Sequence, residues 1–263
     1  MSEYLYHYTS IETLALILAN KNIRFNSLKN VDDINETEFL DNEINNLSSH
    51  TLISCWTTND KENLAFWNMY TPKMQGVRIK LPKKLFKIYD FKTSNDVYVK
   101  RNQTITNSLV PEKECFNDNY WILPLGDNFF PVEYTENEDL LKPRLFNLDN
   151  NKYTFSSGII GKYKSTIWEF QNEVRFKILI LPTIDEKKNK INPLDDFLKI
   201  LRENIQCPIE SYYLPILKES FEKMEITLGP KCTVAQELIV ESLIEKYNPE
   251  AKVFKNRFSG LIR

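Results

Sequence analysis

The sequence has few glycines and few histidines, six and two respectively among its 263 residues. A glycine-rich phosphate-binding loop is therefore not expected anywhere in the chain. Two histidines would need carboxylate neighbours to hold a metal, and no such cluster has the spacing of metal ligands, so we expect no metal. The patterns H-E-x-x-H, G-x-S-x-G and G-x-x-x-x-G-K-[ST] are also absent, which removes the usual signatures of zinc hydrolases, serine hydrolases and P-loop enzymes.

Other absences limit the compartments in which the protein is expected and the classes of partner that it is expected to bind. The four cysteines are far apart and form no C-x-x-C pair, which predicts reduced thiols in a cytoplasmic protein. A formal net charge of -2 gives no overall basic signature, so nonspecific duplex binding is disfavoured while a local basic groove stays open. No uncharged apolar run approaches transmembrane length and the N-terminus has no signal pattern, so we expect no membrane association.

The chain does contain enough apolar sequence for a sizeable core, with 42% hydrophobic and 13% aromatic residues. We expect one domain over residues 1–263, with a helical C-terminal portion from about residue 195. Residue alternation predicts strands over 4–8, 22–28, 51–56, 76–81, 130–134, 173–181, 224–228 and 251–255. Helical spacing predicts helices after a Thr9–Glu12 capping box and over 33–46, 59–70, 195–223 and 233–247, with a solvated turn at 185–190. Strands grouped around short helices favour an α+β fold.

Several residues in these elements could do chemistry, and each also has an ordinary structural explanation. His7 shares a strand face with Leu5, as would a core histidine bonded to a backbone carbonyl. Thr9 is explained by the capping box. Trp67 and Tyr70, three residues apart on a helix, fit core packing. The order of the residues alone leaves both explanations open.

The strand over 173–181 alternates strictly between apolar and charged residues. Val174, Phe176, Ile178 and Ile180 form one face, and Glu173, Arg175 and Lys177 form the other. The ordinary structural explanation of Glu173 is a solvated charge at the start of the strand, paired with Arg175 or Lys177.

A set of motifs gives these residues a family resemblance that spans nearly the whole chain. The motifs are Tyr6-His7-Tyr8-Thr9-Ser10, Ile23-Arg24-Phe25, the acidic Asp32-Asp33-Ile34-Asn35-Glu36, Ser54-Cys55-Trp56, Trp67-Asn68-Met69-Tyr70 with Gly76-Val77, Trp168-Glu169-Phe170-Gln171-Asn172-Glu173-Val174-Arg175, and the turn Leu228-Gly229-Pro230-Lys231. With them the chain resembles a widespread uncharacterised bacterial domain family. That family is similar in turn to the ADP-ribosyltransferase superfamily, and the His7-Tyr8-Thr9 start is similar to that of DNA-modifying toxins in it.

The resemblance implies an ADP-ribosyltransferase-like split β-core of two small sheets with peripheral helices, and it implies NAD as the substrate. Glu173 would be the catalytic carboxylate, in one cleft with His7, and Gln171 would face the acceptor. The residues expected to bind NAD are His7, Thr9, Arg24, Tyr70 and Trp67, with Arg24 on the pyrophosphate and Tyr70 stacking on nicotinamide. Two positions depart from the family pattern: Asp32-Asp33-Ile34 replaces Asn-Asp-Pro, and Gln171 replaces a glutamate.

The expected acceptor is single-stranded RNA or DNA. The stretch over 78–92 interleaves cationic and aromatic residues, which can track phosphates and stack on bases, and Lys83 and Lys84 lie in its middle. A neutralising antitoxin protein is a further expected partner, because the resemblance points to a toxin or anti-phage effector. Three functions stay open at this point: ADP-ribosyl transfer to nucleic acid or protein, NAD hydrolysis in the same pocket, and a noncatalytic binding module in which Glu173 and Arg175 only pair.

Overall fold

A computed structural model describes residues 3–40, 47–91, 106–123, 126, 128–149, 152–183, 199–200 and 202–262. The fold is α+β, as predicted, and its centre is one large mixed sheet with helices around it. Within the described ranges, no helix has both the length and the apolar character needed to cross a membrane.

The strands agree with most of the predicted alternation. They are β1 Tyr4–Thr9, β2 Asn22–Ser27, β3 Thr51–Thr57, β4 Val77–Pro82, β5 Tyr89–Phe91, β6 Thr106–Ser108, β7 Tyr120–Leu123, β8 Phe129–Pro131, β9 Glu133–Thr135, β10 Phe146–Asp149, β11 Lys152–Phe155, β12 Tyr163–Ser165, β13 Glu173–Pro182, β14 Ser211–Pro215, β15 Glu225–Leu228 and β16 Lys252–Phe254. The predicted strand over 130–134 is divided between β8 and β9.

The helices are short apart from the first and the last. They are α1 Ile11–Asn20, α2 Leu47–His50, α3 Leu64–Tyr70, α4 Glu112–Cys115, α5 Glu138–Leu141, α6 Lys218–Phe221 and α7 Val234–Tyr247, with 3-10 turns at Leu28–Asn30, Ile34–Thr37, Pro72–Met74, Ser157–Ile159 and Thr166–Gln171. The capping box of Thr233 and Gln236 at the start of α7 is confirmed.

The N-cap of α1 differs from the prediction by one residue. Ser10, not Thr9, accepts the hydrogen bond from the backbone of Thr13. Thr9 remains extended as the last residue of β1. The side chain of Thr9 is therefore not needed for capping and is buried instead.

The central sheet branches at β3. On one edge, the end of β3 pairs with β1 through Tyr6 and Thr57, while its beginning pairs with β2. One arm continues from β1 to β4, β15 and β16, and the other from β2 to β14. The opposite edge of β3 pairs along its whole length with β13. In place of two small sheets, the arms are thus joined in one ten-stranded sheet.

One face of this sheet carries the main hydrophobic core, and we call it the core face. Trp56, Ile79 and Val174 lie in this core with residues of α1 and α7. The opposite face carries Glu173 and is called the Glu173 face below.

Three predictions about chain organisation are wrong within the described residues. The acidic stretch from residue 33 forms a 3-10 turn, Ile34–Thr37, followed by irregular chain up to residue 40. The helix predicted from residue 59 starts at Leu64, with Asn63 as its N-cap. The predicted helical region 195–223 contains β14, so the C-terminal portion is not uniformly helical. The predicted turn at 185–190 lies outside the described residues.

Candidate active site

The site is built on a row of paired residues that crosses three strands. Tyr6 of β1 lies opposite Thr57 of β3, and Thr57 lies opposite Glu173 of β13. Opposed residues share a sheet face, so all three project from the Glu173 face. Just before Glu173, Asn172 has a left-handed backbone (φ 42°) that ends the 3-10 turn and starts the strand.

Glu173 is held by two cations. Arg175 donates from Nε to Oε1 at 2.7 Å and from Nη2 to Oε2 at 2.9 Å. Lys164 Nζ lies 3.3 Å from Oε2. Burial acts strongly to raise the pKa of Glu173, but Arg175 and Lys164 together outweigh it and lower the pKa to about 2. Glu173 is therefore a carboxylate at neutral pH, although it is only 8% exposed.

A second carboxylate completes this group of charges. Glu36 accepts from Nη1 and Nη2 of Arg175 and pairs with Lys164 at 3.1 Å. We call Glu36, Lys164, Glu173 and Arg175 the charge cluster. All four are buried, and two negative charges balance two positive ones. The pairing of Glu173 with Arg175 is thus confirmed, but the pair is buried and not solvated. Lys177, farther along the same face, is buried too and donates to backbone carbonyls.

A hydrogen-bonded chain leads from the charge cluster towards the surface. Lys164 Nζ donates to Gln171 Oε1 at 2.8 Å, and Gln171 Nε2 donates to the Tyr70 hydroxyl at 2.7 Å. That hydroxyl donates to the exposed Asp32 at 3.0 Å. Burial and the neighbouring Asp32 carboxylate raise the pKa of Tyr70, so its phenol stays protonated. The acidic motif therefore touches the site at both ends, through Asp32 and Glu36.

Cys55 is the uncharged neighbour of the charge cluster. It lies opposite Arg175 in the ladder, and burial followed by the negative charge of Glu173 raises its pKa well above the usual value. The thiol is consequently protonated, and it donates a hydrogen bond to the carboxylate of Glu173. A protonated thiol is a weak nucleophile, so Cys55 is not a candidate for covalent catalysis.

His7 does not face the same cleft as Glu173, and that prediction is wrong. His7 lies opposite Ile79 in the β1–β4 ladder, and its ring packs against Trp56 at 5.1 Å between centroids. Both neighbours belong to the core face. The Nδ1 atom of His7 forms a hydrogen bond with the Cys55 carbonyl at 3.1 Å. This bond acts to raise the pKa of His7, but burial has the larger effect and lowers the pKa. The residue of β1 aligned with Glu173 is Tyr6.

Of the other residues expected to bind NAD, only Tyr70 is joined to Glu173 by the contacts described above. Trp67 is fully buried beneath Tyr8 and donates from Nε1 to Glu62. Thr9 is buried at the end of β1. Arg24 is exposed on β2, in the other arm of the sheet, where its ladder partner is Tyr213.

The two lysines expected to bind the acceptor lie away from this chain of contacts. Lys83 Nζ lies over the ring of Phe129 at 5.0 Å, and Phe129 pairs with Phe176, whose side chain is in the main core. The carbonyl of Lys84 accepts from Ser220. Neither contact belongs to the Glu173 face, and the last lysine of that stretch, residue 92, lies outside the described residues.

The sequence reasoning missed Lys164 and Tyr6 as members of the site. No pattern around Lys164 distinguishes it from a surface lysine. Tyr6 could have been found, because alternation places it on the face opposite His7 and only one of the two can align with Glu173.

No family model, no curated protein and no solved structure matches the chain.

Proposed function

We propose that this protein is an NAD-dependent mono-ADP-ribosyltransferase, of the kind that serves as a bacterial toxin or anti-phage effector, with Glu173 as its catalytic carboxylate. The observation that supports this best is the state of Glu173, a carboxylate kept ionised beside the hydrogen-bonded pair of Gln171 and Tyr70. The branched sheet, whose arms part beyond Tyr6 and Thr57, supports an ADP-ribosyltransferase-like split β-core as the finer description of the fold.

In the proposed reaction, the bond between ribose C1′ and the nicotinamide nitrogen breaks, and nicotinamide leaves as a neutral molecule with the electron pair. Positive charge develops on the ribose, as it does in glycoside hydrolysis. Glu173 accepts a hydrogen bond from the ribose 2′-hydroxyl and stabilises that charge. The acceptor then attacks C1′ and loses a proton, so that the ADP-ribosyl group is transferred.

The ion pairs of Glu173 leave one acceptor position of its carboxylate for a ribose hydroxyl. A carboxylate offers about four acceptor positions, and Arg175 and Lys164 take three of them. The remaining donor is the thiol of Cys55, which is a weak one. A ribose hydroxyl could replace the thiol without breaking either ion pair.

Tyr70 is the ring that we assign to nicotinamide. It is half-buried on the Glu173 face and packs against Phe66, while the buried Trp67 supports this wall from behind. An offset stack on an aromatic ring typically contributes about 0.5–1.5 kcal/mol. His7, on the core face, is given no contact with NAD in this proposal.

The acceptor that we propose is single-stranded nucleic acid. Gln171 is two residues before the catalytic carboxylate, and its neighbour Phe170 is 37% exposed. An exposed ring at this position is suited to stack on a base, which is worth about 1–3 kcal/mol. A base in a duplex cannot reach ribose C1′ without leaving its stack, so single strands are favoured. The lysines at 83 and 84 are not part of this acceptor site.

The proposal is tested by incubating the purified protein with NAD labelled in its adenylate half, at low salt, with RNA, DNA and protein acceptors. Label on an oligonucleotide supports the full proposal, and its yield should fall steeply as salt rises. If only protein becomes labelled, the assignment of nucleic acid as the acceptor is overturned. Free nicotinamide without transfer replaces the transferase by an NAD hydrolase. If neither labelled acceptor nor free nicotinamide forms, the enzymatic assignment is overturned.

One observation favours a second candidate, a noncatalytic module. Arg175 donates hydrogen bonds to both carboxylate oxygens of Glu173, and a purely structural ion pair would have the same contacts. Such a module would bind its ligand without releasing nicotinamide. The same incubation separates the two candidates, because only the enzyme consumes NAD.

A further inference from the structure

Arg78 is a buried guanidinium on the same sheet face as Glu173. It lies opposite Tyr8 in the β1–β4 ladder, and its guanidinium carbon is 4.3 Å from the ring centroid of Tyr6. Tyr6 is the residue in line with Glu173. The charged group of Arg78 therefore lies over β1. Because β3 separates β1 from β13, the strand of Glu173 is two interstrand spacings, or about 10 Å, away.

Arg78 lacks acceptors for most of its donors. It is 7% exposed, and Nη2 donates to the carbonyl of Asp60 at 2.8 Å. Its Nε and Nη1 atoms are buried without a hydrogen-bond partner. Arginine carries five N–H donors, and a buried charge without partners is strongly unfavourable. Folded proteins rarely leave such groups unmet, so an acceptor from outside the chain is the simplest account.

No nearby side chain neutralises this charge among the residues that the structure describes. The Tyr8 hydroxyl interacts with Arg78, but burial raises the pKa of Tyr8 against this contact, so the phenol stays neutral and does not balance the charge of Arg78. The Glu62 carboxylate is already engaged by Trp67, Asn256 and the backbone of Arg257. Arg78 forms no ion pair in the described ranges, in contrast to Arg175, whose charge is met by two carboxylates.

The loop over residues 58–63 covers this guanidinium. Arg78 holds the loop at the Asp60 carbonyl, and Arg257 holds it at the Glu62 carbonyl. A ligand would reach the free donors of Arg78 when this loop shifts. The unpartnered donors of Arg78, beside the ring of Tyr6, match a compact anion with several acceptor oxygens, that is, a phosphate group.

We propose that Arg78 binds a phosphate of the nucleotide substrate. This inference rests on the proposed function, in which the substrate is NAD, and it assigns the pyrophosphate to Arg78 in place of Arg24. Glu173 would hold the nicotinamide ribose and Arg78 the pyrophosphate next to it, along one face of the sheet. The planar guanidinium, stacked on Tyr6, is held ready for this contact without an ordering cost.

The test is calorimetric titration of the full chain with inorganic pyrophosphate, with NAD, and with adenosine as the ligand that lacks phosphate. Arg78→Gln should weaken pyrophosphate and NAD binding about 10- to 100-fold, the usual worth of a charge-assisted hydrogen bond. Adenosine affinity should not change between the two proteins. The matched control is Arg24→Gln, which removes an exposed arginine in the other arm of the sheet and should leave all affinities unchanged.

The two proposals fail differently. If NAD is consumed and Arg78→Gln keeps its affinity for pyrophosphate and NAD, the role of Arg78 is overturned and the transferase stands. If Arg78→Gln abolishes pyrophosphate binding but wild type neither binds nor consumes NAD, the phosphate site stands and the proposed function falls. Should Arg78→Gln not fold, hydrogen exchange of wild type decides: slower exchange over 58–63 with pyrophosphate supports the site, and unchanged exchange overturns it.

Discussion

Arg175 holds Glu173 with two nitrogens and Glu36 with two, so that one guanidinium joins β13 to the acidic motif near the N-terminus. Bidentate pairs of this kind fix geometry as well as charge. The same contact that keeps Glu173 ionised also ties it into the interior. Stability and activity are therefore linked at this residue, and experiments on it need separate readouts for each.

Glu173→Gln should lower ADP-ribosyl transfer about 100- to 1000-fold per folded molecule, the usual effect of removing one preorganised electrostatic contact. The measurement is initial rate with labelled NAD, normalised to the folded fraction from circular dichroism. Glu169→Gln is the matched control, because Glu169 is an exposed carboxylate in the preceding turn. A Glu173→Gln variant with wild-type turnover would remove the carboxylate from the mechanism.

Arg175→Met should destabilise the protein by about 3–5 kcal/mol, since it leaves two buried carboxylates with only Lys164 to balance them. Arg175→Lys should recover little, because an ammonium group cannot replace the planar fork. Urea unfolding measures both. Lys142→Met is the control: it removes a surface pair with Glu38, which water and salt screen, and should leave the stability close to that of wild type. Equal losses for the buried and the surface variants would contradict the assigned burial of the cluster.

Stability should fall as the solution is acidified through the range in which Glu173 takes up a proton. The pKa of Glu173 is lowered in the folded protein from 4.5 to about 2, so the unfolded chain binds the proton more readily. The contribution is fully present above about pH 5, amounts to roughly 3 kcal/mol, and is lost progressively towards about pH 2. Urea unfolding at a series of pH values should show this slope in wild type and a shallower one in Glu173→Gln. Parallel curves would show that Glu173 is not the linked group.

Sequence alternation located the strands well because each strand has an apolar face that packs on the core. It could not reveal that the charged face of β13 is covered as well, since a buried ion pair and a solvated lysine or glutamate have the same pattern. The error at His7 has a similar origin. Alternation gives two faces for β1, and only the pairing of Tyr6 with Thr57 decides which face meets Glu173.

The region 195–223 shows the other limit of sequence reasoning. Its apolar spacing fits a helix, but Ser211–Pro215 forms the edge strand that pairs with β2. Tertiary pairing overrides local preference here, and nothing within the segment indicates a partner almost two hundred residues earlier in the chain. The helix α7 was predicted correctly because its capping box is a purely local signal.

Gly76 offers a test of whether a motif residue is structural or functional. A Cβ atom added at this position would lie 2.2 Å from the Thr9 carbonyl oxygen, and Gly76 also accepts a backbone bond from Gly229 at 2.8 Å. The side chain of Thr71 would lie 2.7 Å from the same Cβ, and it is buried and hydrogen-bonded to the Trp67 carbonyl, so it cannot easily move aside. Gly76→Ala should therefore cost about 3 kcal/mol of stability.

Gly158→Ala is the matched control for that variant, because nothing lies within 4 Å of a Cβ added there. It should change stability by less than about 0.5 kcal/mol. Thermal unfolding compares the two, and NAD turnover per folded molecule should be the same in both. If Gly76→Ala instead keeps wild-type stability and loses turnover, this glycine belongs to the active site, and the close approach of β1 to the turn around Gly76 and Gly229 has a catalytic purpose.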